Sequence, residues 1–392
     1  MILENNSSMK KILFIATSNF YIDTGGGIAN RAYYNALKEV YPNCVDVIHI
    51  QVSQGIETPS NFYQVPPLSN VKRLGLLVSG KLHRYYSYVL NFVDKRKGEY
   101  SHCFINTGVL GDLVKPLQER GIKVAVIHHN YEVDFQRDSK RPTTFWGLYT
   151  GLVSNNERKA YKESDLNLFL TESDKKTFND NYGDSKAKHN TVIGTFEAEE
   201  RESVITTNEP LNQRLLTICG SLNSVQTLQG IKDFSANYLP LLHKYYNDNF
   251  TLTLTGRSPV DFIRKLAEVD DNIQLIPSPV SISDVIRQCG IFICPTNVGG
   301  GIKLRIMDGL KLGMPIITHE VSARGYDSFF NMPWFKVYND SISFTQALEA
   351  INNLIVNMPQ LRMEIIKEYR NIFSFISGKK RFIESVKDFA NS

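Results

Sequence analysis

The sequence has little of what marks a secreted, membrane-spanning or nucleic-acid-binding protein. Its five cysteines in 392 residues include no Cys-x-x-Cys pair, which is typical of reduced core thiols and offers no structural zinc site. No run approaches the roughly 20 apolar residues of a membrane-spanning helix, and the polar first eight residues are unlike a secretory signal. A net charge of +4 is too small to indicate nucleic-acid binding. We therefore expect a cytoplasmic protein.

What is present is the composition of an ordinary globular chain, with 42% hydrophobic and 21% charged residues. Short apolar runs alternate with helical patterns in both halves, and this order predicts doubly wound α/β domains with parallel sheets. The polar stretch 195–213 is poor in periodicity and is interpreted as the linker. We expect one domain over residues 9–205, a second over 206–365, and a helical tail over 366–392, for which a return to the N-terminal domain is one option.

A glycine loop in the second half has the features of an anion site. It lies between a buried strand at 291–294 and a helical pattern opened by Ile302, and it contains three consecutive glycines at 299–301. Glycines let the backbone come close to a ligand, and the free N–H groups of a helix N-terminus favour an anion. Lys303 and Arg305 add positive charge there, which indicates a phosphate-bearing ligand. The alternative is a loop that only turns the chain.

Two further features lie in the first half. The glycines at 25–27 follow the first strand and precede a helix, but they lack the Gly-x-Gly-x-x-Gly spacing, so a dehydrogenase-type dinucleotide site is weakly supported. The strand at 124–129 ends in His128 and His129, with Glu132 close behind. Titratable groups at the carboxyl end of a parallel strand lie where such sheets bind ligands. They are either catalytic groups or hydrogen-bonded core residues.

The segment 71–97 mixes apolar and aromatic residues with lysines and arginines. The simpler interpretation is a domain helix with a solvated basic face. The alternative is an amphipathic surface that lies on an anionic membrane.

Several stretches of the second half carry a family resemblance: 220–223 with 230–234, 255–256, and 298–308 with 312–317. They resemble the glycosyltransferases of the GT-B fold, family 4 in particular, and 298–308 is similar to the donor-binding signature of bacterial polysaccharide glycosyltransferases. The glycines at 25–27 and the strand end at 129–132 are similar to the acceptor-side domain of those enzymes. The resemblance extends from Lys10 to about Tyr326.

The resemblance implies a GT-B fold, in which two Rossmann-like domains face each other across a cleft. It implies a retaining transferase that moves a sugar from a nucleotide-sugar, most simply a UDP- or GDP-sugar, to a glycan or lipid-linked glycan in surface polysaccharide biosynthesis. The N-terminal domain would bind the acceptor, the C-terminal domain the donor, and the protein would work in the cytoplasm or at the inner face of the membrane. No metal or other cofactor is required if the protein supplies the positive charge. The alternative is a catalytically silent protein of this fold that acts as a glycan-binding or partner scaffold.

The resemblance also assigns residues. In the family, two acidic residues separated by seven others contact the donor; the second maps to Asp308 and the first to Gly300, which has no side chain. The residues expected to bind the donor are Gly220, Ser221, Arg257, Gly299, Gly300, Gly301, Ile302, Lys303, Arg305 and Asp308. The expected catalytic groups are His129, His128 and Glu132, and the acceptor-side loop is Gly25, Gly26 and Gly27.

Overall fold

The structure is a computed structural model that describes residues 10–17, 20–21, 25–50, 58–81, 85–138, 144–187, 189–200 and 210–392. The chain forms two compact units. The first comprises Met1–Glu200 together with Ser374–Ser392, and the second comprises Arg201–Phe373.

Within the described residues, the first unit contains a seven-stranded sheet in the order β3-β2-β1-β4-β5-β6-β7. All the neighbouring strands are parallel. The strands are β1 Lys11–Ile15, β2 Val45–His49, β3 Phe62–Gln64, β4 Tyr100–Ile105, β5 Lys123–His128, β6 Leu166–Phe169 and β7 Asn190–Val192. The helices are α1 Gly25–Val40, α2 Asn70–Val78, α3 Tyr85–Asp94, α4 Val114–Gln118, α5 Glu132–Asp138, α6 Thr144–Glu163 and α7 Glu172–Tyr182, with a 3-10 helix at Gly108–Leu113.

The central strands of this sheet are mostly apolar, as expected of parallel strands that are covered on both faces. β1, β4 and β5 are almost entirely buried. Parallel strands bring their carboxyl ends to one edge, so the residues that follow β4 and β5 are neighbours. This edge of the first sheet positions one part of the candidate site.

The second unit contains a six-stranded parallel sheet in the order β10-β9-β8-β11-β12-β13, again counted over the described residues. The strands are β8 Leu215–Ser221, β9 Thr251–Arg257, β10 Ile273–Pro277, β11 Ile291–Cys294, β12 Ile316–His319 and β13 Phe335–Tyr338. The helices are α8 Val225–Asn237, α9 Leu239–Tyr246, α10 Asp261–Val269, α11 Ile282–Arg287, α12 Arg305–Lys311, α13 Ser341–Asn357 and α14 Leu361–Phe373, with a 3-10 helix at Asp327–Phe329. The last helix, α15 Phe375–Ala390, belongs to the first unit.

The structure describes the predicted linker and the predicted basic segment only in part. The predicted linker is ordered at its start, since Thr195 and Phe196 are buried in the first unit, while its part at 201–209 lies outside the described residues. The basic segment at 71–97 forms two helices, α2 and α3, and its residues 82–84 also lie outside the described part. The first eight residues of the chain are not among those described either.

The helix after the glycine loop begins at Arg305, so the prediction that Ile302 opens it was wrong. The N–H of Ile306 donates to the carbonyl of Lys303 at 3.0 Å, and the N–H of Met307 donates to that of Leu304 at 3.0 Å. These are the i to i+3 bonds of a 3-10 turn. The chain therefore makes one tight turn after the glycines before the α-helix starts.

In the described part of the chain, no helix combines the length and the hydropathy that a membrane crossing requires.

Candidate functional site

The glycine loop of the second unit follows β11 and rests on the first turn of α8. Gly299 has a φ of +91° and Gly301 a φ of +72°, a region that residues with a Cβ rarely adopt. A Cβ added to Gly299 would lie 2.2 Å from Nε2 of Gln226. The backbone of the glycine loop therefore packs closely against another part of the protein, the side chain of Gln226.

Lys303 fixes this loop with its side chain. Its ammonium group donates to the carbonyl oxygens of Gly299 at 3.1 Å and Gly300 at 2.9 Å, and to Oε1 of Gln226 at 3.3 Å. The Tyr326 hydroxyl donates to the backbone carbonyl of Lys303 at 3.0 Å. A positive charge is therefore held over the glycine loop and beside the start of α8.

The helix whose N-terminus adjoins the loop is α8. Its N-cap residue, Ser224, accepts a hydrogen bond from the N–H of Thr227 at 3.3 Å. α8 directly follows the carboxyl end of β8, where Gly220 and Ser221 lie. The partial positive charge of a helix N-terminus favours an anion. The helix N-terminus beside the predicted anion site is therefore that of α8. The sequence predicts the N-terminus of α12 there, but α12 begins later than expected.

The end of β9 lies next to the end of β8. Gly256 has a φ of +147°, and a Cβ there would lie 1.6 Å from the carbonyl oxygen of Gly220, so only glycine fits. Arg257 follows it, is exposed, and is paired in register with Ser221. The Ser221 hydroxyl donates to Oδ1 of Asn223 at 2.9 Å. The structure thus brings Gly220, Ser221 and Arg257 together at one edge.

Arg305 and Asp308 lie in the first turn of α12 and form an ion pair of 2.9 Å between Nη1 and Oδ2. Their side chains are 42% and 41% exposed, so the pair is open to solvent and to a ligand. Ile302 lies between the loop and this turn and packs partly against the core. The predicted donor-binding residues thus lie at the carboxyl ends of β8 and β9 or in the segment that follows β11, and open α/β sheets bind ligands at this edge.

In the first unit, the two tandem histidines at the end of β5 have different surroundings. His128 is 1% exposed and stacks on Phe169 with 4.9 Å between ring centroids. Its Nε2 donates to Oδ1 of Asn167 at 2.8 Å. Burial lowers the pKa of His128 to about 4, although the Asn167 hydrogen bond opposes the shift. The structure places it in the core rather than at the sheet edge.

His129 instead joins a row of polar side chains at the carboxyl edge of the sheet. Its Nε2 lies 2.7 Å from Oδ1 of Asn106, within hydrogen-bond distance, and Nδ2 of Asn106 donates to Oδ1 of Asn30 at 2.5 Å. Burial lowers the pKa of His129 to about 4, against an opposing effect of the Asn106 backbone carbonyl. A ring with this pKa is neutral at pH 7.

Glu132, one of the expected catalytic groups, is the first residue of α5, and it contacts a second carboxyl group. Its backbone N–H donates to Oε1 of Glu157 at 2.7 Å, and Oε2 of Glu157 accepts from the Tyr182 hydroxyl at 3.1 Å. Burial raises the pKa of Glu157 to about 8 and that of Glu132 to about 7. The carboxyl group of Glu157 caps the helix that follows the His129 loop.

The glycines at 25–27 form the first turn of α1 rather than a loop before it. Residues 22–24, which precede them, lie outside the described part of the chain. α1 carries the buried Asn30 toward His129. The glycines thus start the helix that supplies one partner of the histidine row.

Sequence reasoning missed Asn30, Asn106 and Glu157. Asn106 did carry a signal, because it directly follows the buried strand β4, just as His129 follows β5. Asn30 and Glu157 lie inside helices and carry no comparable signal. Among the described residues, no group of three or more His, Cys, Asp or Glu side chains is placed to hold a metal ion.

Comparison with solved structures identifies the fold. A glycosyltransferase from Rickettsia africae aligns with a TM-score of 0.65 at 12% identity, covering 98% of this chain and 100% of its own. HepE from Anabaena, solved with UDP and glucose, aligns with a TM-score of 0.63 at 12% identity over 96% of this chain and 99% of its own. WaaG, a glycosyltransferase involved in lipopolysaccharide biosynthesis, aligns with a TM-score of 0.60 at 14% identity over 97% and 98% of the two chains.

No curated protein is a significant match to the sequence. A family model does match: residues 213–352 fit the one described as glycosyl transferases group 1. This segment includes the glycine loop, Lys303 and Asp308. The predicted fold class is thus confirmed: the chain consists of two Rossmann-like units with the fold of GT-B glycosyltransferases, and most of its second unit matches the group 1 glycosyl transferases.

Proposed function

We propose that the protein is a retaining glycosyltransferase of family 4 type, which moves a sugar from a UDP- or GDP-sugar to a glycan or lipid-linked glycan in surface polysaccharide biosynthesis. The observation that carries the proposal is the ammonium group of Lys303, held over a glycine loop beside the N-terminus of α8. This arrangement suits a diphosphate, and it lies within the segment that matches the group 1 glycosyl transferases. HepE, of the same fold, was solved with UDP and glucose.

The second unit would hold the donor. Cleavage of the sugar–phosphate bond loads negative charge on the leaving diphosphate, and fixed N–H dipoles and cations that stabilise this charge commonly supply the largest catalytic effect. Here the backbone N–H groups of Gly300, Gly301 and Ile302 would supply the dipoles, and the side chains of Lys303 and Arg305 would supply the cations. Asp308 corresponds to the second acidic residue of the family that the sequence resembles, which contacts the ribose of the nucleotide, and we propose the same contact for Asp308.

Arg257, exposed at the end of β9, is a third cation for the diphosphate. Positively charged side chains of the protein would then stabilise the negative charge on the leaving diphosphate, and the proposal requires no metal or other cofactor.

The first unit would bind the acceptor and contribute His129. A neutral imidazole at the carboxyl edge of the sheet can hydrogen-bond a sugar hydroxyl or assist the movement of a proton. His128 is enclosed by Phe169 and Asn167, so we assign it a structural role. Glu132 and Glu157 shape the loop that carries His129.

A thermal-shift panel with UDP, GDP, ADP, CDP and CMP tests the donor site. A ligand at 100 times its dissociation constant stabilises the folded state by about 2.7 kcal/mol. We expect one nucleotide to raise the melting temperature of the wild type and to have no such effect on Lys303→Ala. Lys265→Ala, an exposed lysine on α10, is the matched control and should keep the shift. Turnover of the corresponding nucleotide-sugar with an acceptor then establishes the transferase.

A silent scaffold is the second candidate, because Gly300 replaces the first acidic residue of the family pattern and Arg305 is paired with Asp308. It would bind a glycan or a partner enzyme without turnover. A protein that binds none of the five nucleotides would support the scaffold, whereas sugar transfer by the purified chain would exclude it.

The exposed face of α2 supports a peripheral membrane contact. Val71, Leu74 and Val78 are 81%, 60% and 82% exposed and share one helical face, with Lys72 beside them. A basic, apolar surface of this kind suits anionic lipid, and it would place the protein at the inner face of the membrane. Val71→Ser with Lys72→Glu should abolish binding to anionic vesicles. Val269→Ser, equally exposed on the second unit, is the control, and binding that survives the double change would refute the contact.

A further inference from the structure

The row of polar side chains that ends at His129 runs in one direction. Oδ1 of Asn30 accepts from Nδ2 of Asn106, whose own Oδ1 accepts from Nε2 of His129. The three residues come from α1, the end of β4 and the end of β5, and both asparagines are nearly fully buried, at 0% and 3% exposure. Only the fold brings them together.

Asn106 cannot turn its carboxamide around independently. Its backbone is held by its N–H, which donates to the carbonyl of Ile15 at 2.9 Å. A carboxamide has one acceptor end and one donor end. While Asn30 presents its oxygen, a rotated Asn106 would place two carbonyl oxygens 2.5 Å apart. The oxygen of Asn30 therefore decides which end of Asn106 faces the histidine.

We propose that Asn106 and Asn30 are positioning residues, which hold the His129 ring as the Nε2–H tautomer and leave its Nδ1 lone pair to accept a hydrogen bond from a ligand hydroxyl. The part of this inference that concerns the ligand rests on the proposed function. A neutral imidazole with its proton on Nε2 has only an acceptor at Nδ1. Such an atom bonds a sugar hydroxyl and finds no donor on an ionised phosphate.

The surroundings keep the ring neutral. Burial depresses the pKa of His129 to about 4. Among the described residues, the titratable neighbours of the ring include Tyr33 on α1, whose ring centroid lies 6.3 Å away, and the adjacent His128. Burial raises the pKa of Tyr33 far above its usual range and lowers that of His128 to about 4, so both are uncharged at pH 7. Because the ring is neutral, its tautomer determines which of the two ring nitrogens donates a hydrogen bond and which accepts one.

Nitrogen-15 labelling of the histidines in the full chain makes the tautomer directly visible, because protonated and unprotonated ring nitrogens differ in chemical shift. Two-bond proton–nitrogen spectra at pH 7 should show His129, identified by its loss in His129→Gln, as the Nε2–H form. His128 serves as an internal reference, since Asn167 holds it in the same form. An Nδ1–H signal for His129 in the wild type would overturn the proposal.

Two substitutions of Asn30 form the decisive pair. Asn30→Leu removes the acceptor oxygen, so Asn106 can rotate and present its NH2 group to the ring; the tautomer of His129 should shift toward Nδ1–H. Asn30→Asp keeps an oxygen at that position and should preserve Nε2–H. Unchanged His128 signals report that each variant is folded. A folded Asn30→Leu protein with an unshifted His129 would refute the positioning role.

If Asn30→Leu does not fold, Asn106→Asp tests the contact between residue 106 and the His129 ring. An aspartate keeps an acceptor against Nε2 and adds a negative charge, so the pKa of His129 should rise, which a pH titration of the same signals measures. An unchanged pKa would refute the contact.

The tautomer can be measured without any sugar transfer, so the positioning role of the asparagines and the proposed transferase activity can be tested separately. An Nε2–H ring that depends on Asn30, in a protein that binds none of the five nucleotides, would keep the positioning role while supporting the scaffold over the transferase. Where transfer is measurable, loss of one neutral hydrogen bond should lower kcat/KM by about three- to tenfold in Asn30→Leu and less in Asn30→Asp.

Discussion

The carboxyl group of Glu157 accepts a hydrogen bond from the backbone N–H of Glu132 at 2.7 Å, between α6 and the start of α5. Glu157 is fully buried, and burial raises the pKa of its carboxyl group to about 8 and that of Glu132 to about 7, from usual values of 4.5. The folded protein therefore holds protons that the unfolded chain has released. Stability should fall as the pH rises from about 5 to 8, because the folded state binds more protons in this range.

Glu157→Gln tests this pH dependence. Glutamine keeps an oxygen for the N–H of Glu132 but cannot ionise, so the variant should lose part of the decline in stability between pH 5 and 8.5. We expect it to exceed the wild type at pH 8.5 by about 1–3 kcal/mol and to match it near pH 5. Urea unfolding at both pH values measures the difference. Glu119→Gln, an exposed carboxylate on the same unit, should leave the profile unchanged; a wild-type slope in Glu157→Gln would contradict the prediction.

Gly299→Ala should disrupt the glycine loop. Its Cβ would overlap Gln226, and a left-handed backbone costs a residue with a side chain about 1–2 kcal/mol. We expect a lower melting temperature and loss of the nucleotide-induced shift. Adding Gln226→Ala should remove the overlap and recover only part of the stability, because the strain at a φ of +91° remains.

The matched control for the glycine loop is Gly75→Ala. Gly75 lies in α2 with no atom within 4 Å of an added Cβ, so alanine should be neutral or mildly stabilising there. Equal melting temperatures for Gly299→Ala and the wild type would show that the loop tolerates a side chain and would contradict the prediction.

The fold could be predicted from the sequence because it rests on local patterns. Continuous apolar runs such as 124–127 identify strands covered on both faces, and their alternation with helices implies parallel sheets. The glycine run at 299–301 was equally visible, since a close approach requires glycine whatever the partner is.

The partners were not predictable, because they depend on residues far apart in the chain. Nothing near Glu157 indicates that it caps α5, and nothing near Asn30 indicates a histidine row. The tandem histidines show the same limit: alternation along a strand places His128 and His129 on opposite faces, but only packing decides which ring enters the core. The start of α12 was missed because apolar periodicity does not distinguish a 3-10 turn from the first turn of an α-helix.

Arg381 of α15 ties the last helix to the first unit. Its Nε donates to the carbonyl of Ile193 at 2.7 Å, and its Nη2 donates to that of Thr195 at 3.3 Å. Arg381→Ala would leave these part-buried carbonyls without their charged donor, so we expect a loss of about 1.5–3 kcal/mol in the free energy of unfolding. Lys380→Ala, an exposed neighbour on the same helix, should cost far less. Equal denaturant midpoints for the two variants would show that this helix end adds little to stability.

Lys303 and Asp308 should differ in which part of a nucleotide they bind. Lys303 is proposed to bind phosphate, so Lys303→Ala should weaken both UDP or GDP and inorganic pyrophosphate by about 10- to 100-fold, the value of a charge-assisted hydrogen bond. Asp308 is proposed to bind the ribose, so Asp308→Asn should weaken the nucleotide alone. Pyrophosphate should bind that variant as tightly as the wild type or more tightly, because the negative charge that now faces Arg305 has been removed. Titration calorimetry with both ligands on both variants measures this. A parallel loss of nucleotide and pyrophosphate in Asp308→Asn would mean that Asp308 acts by holding the glycine loop and Arg305 in place rather than by contacting the nucleoside.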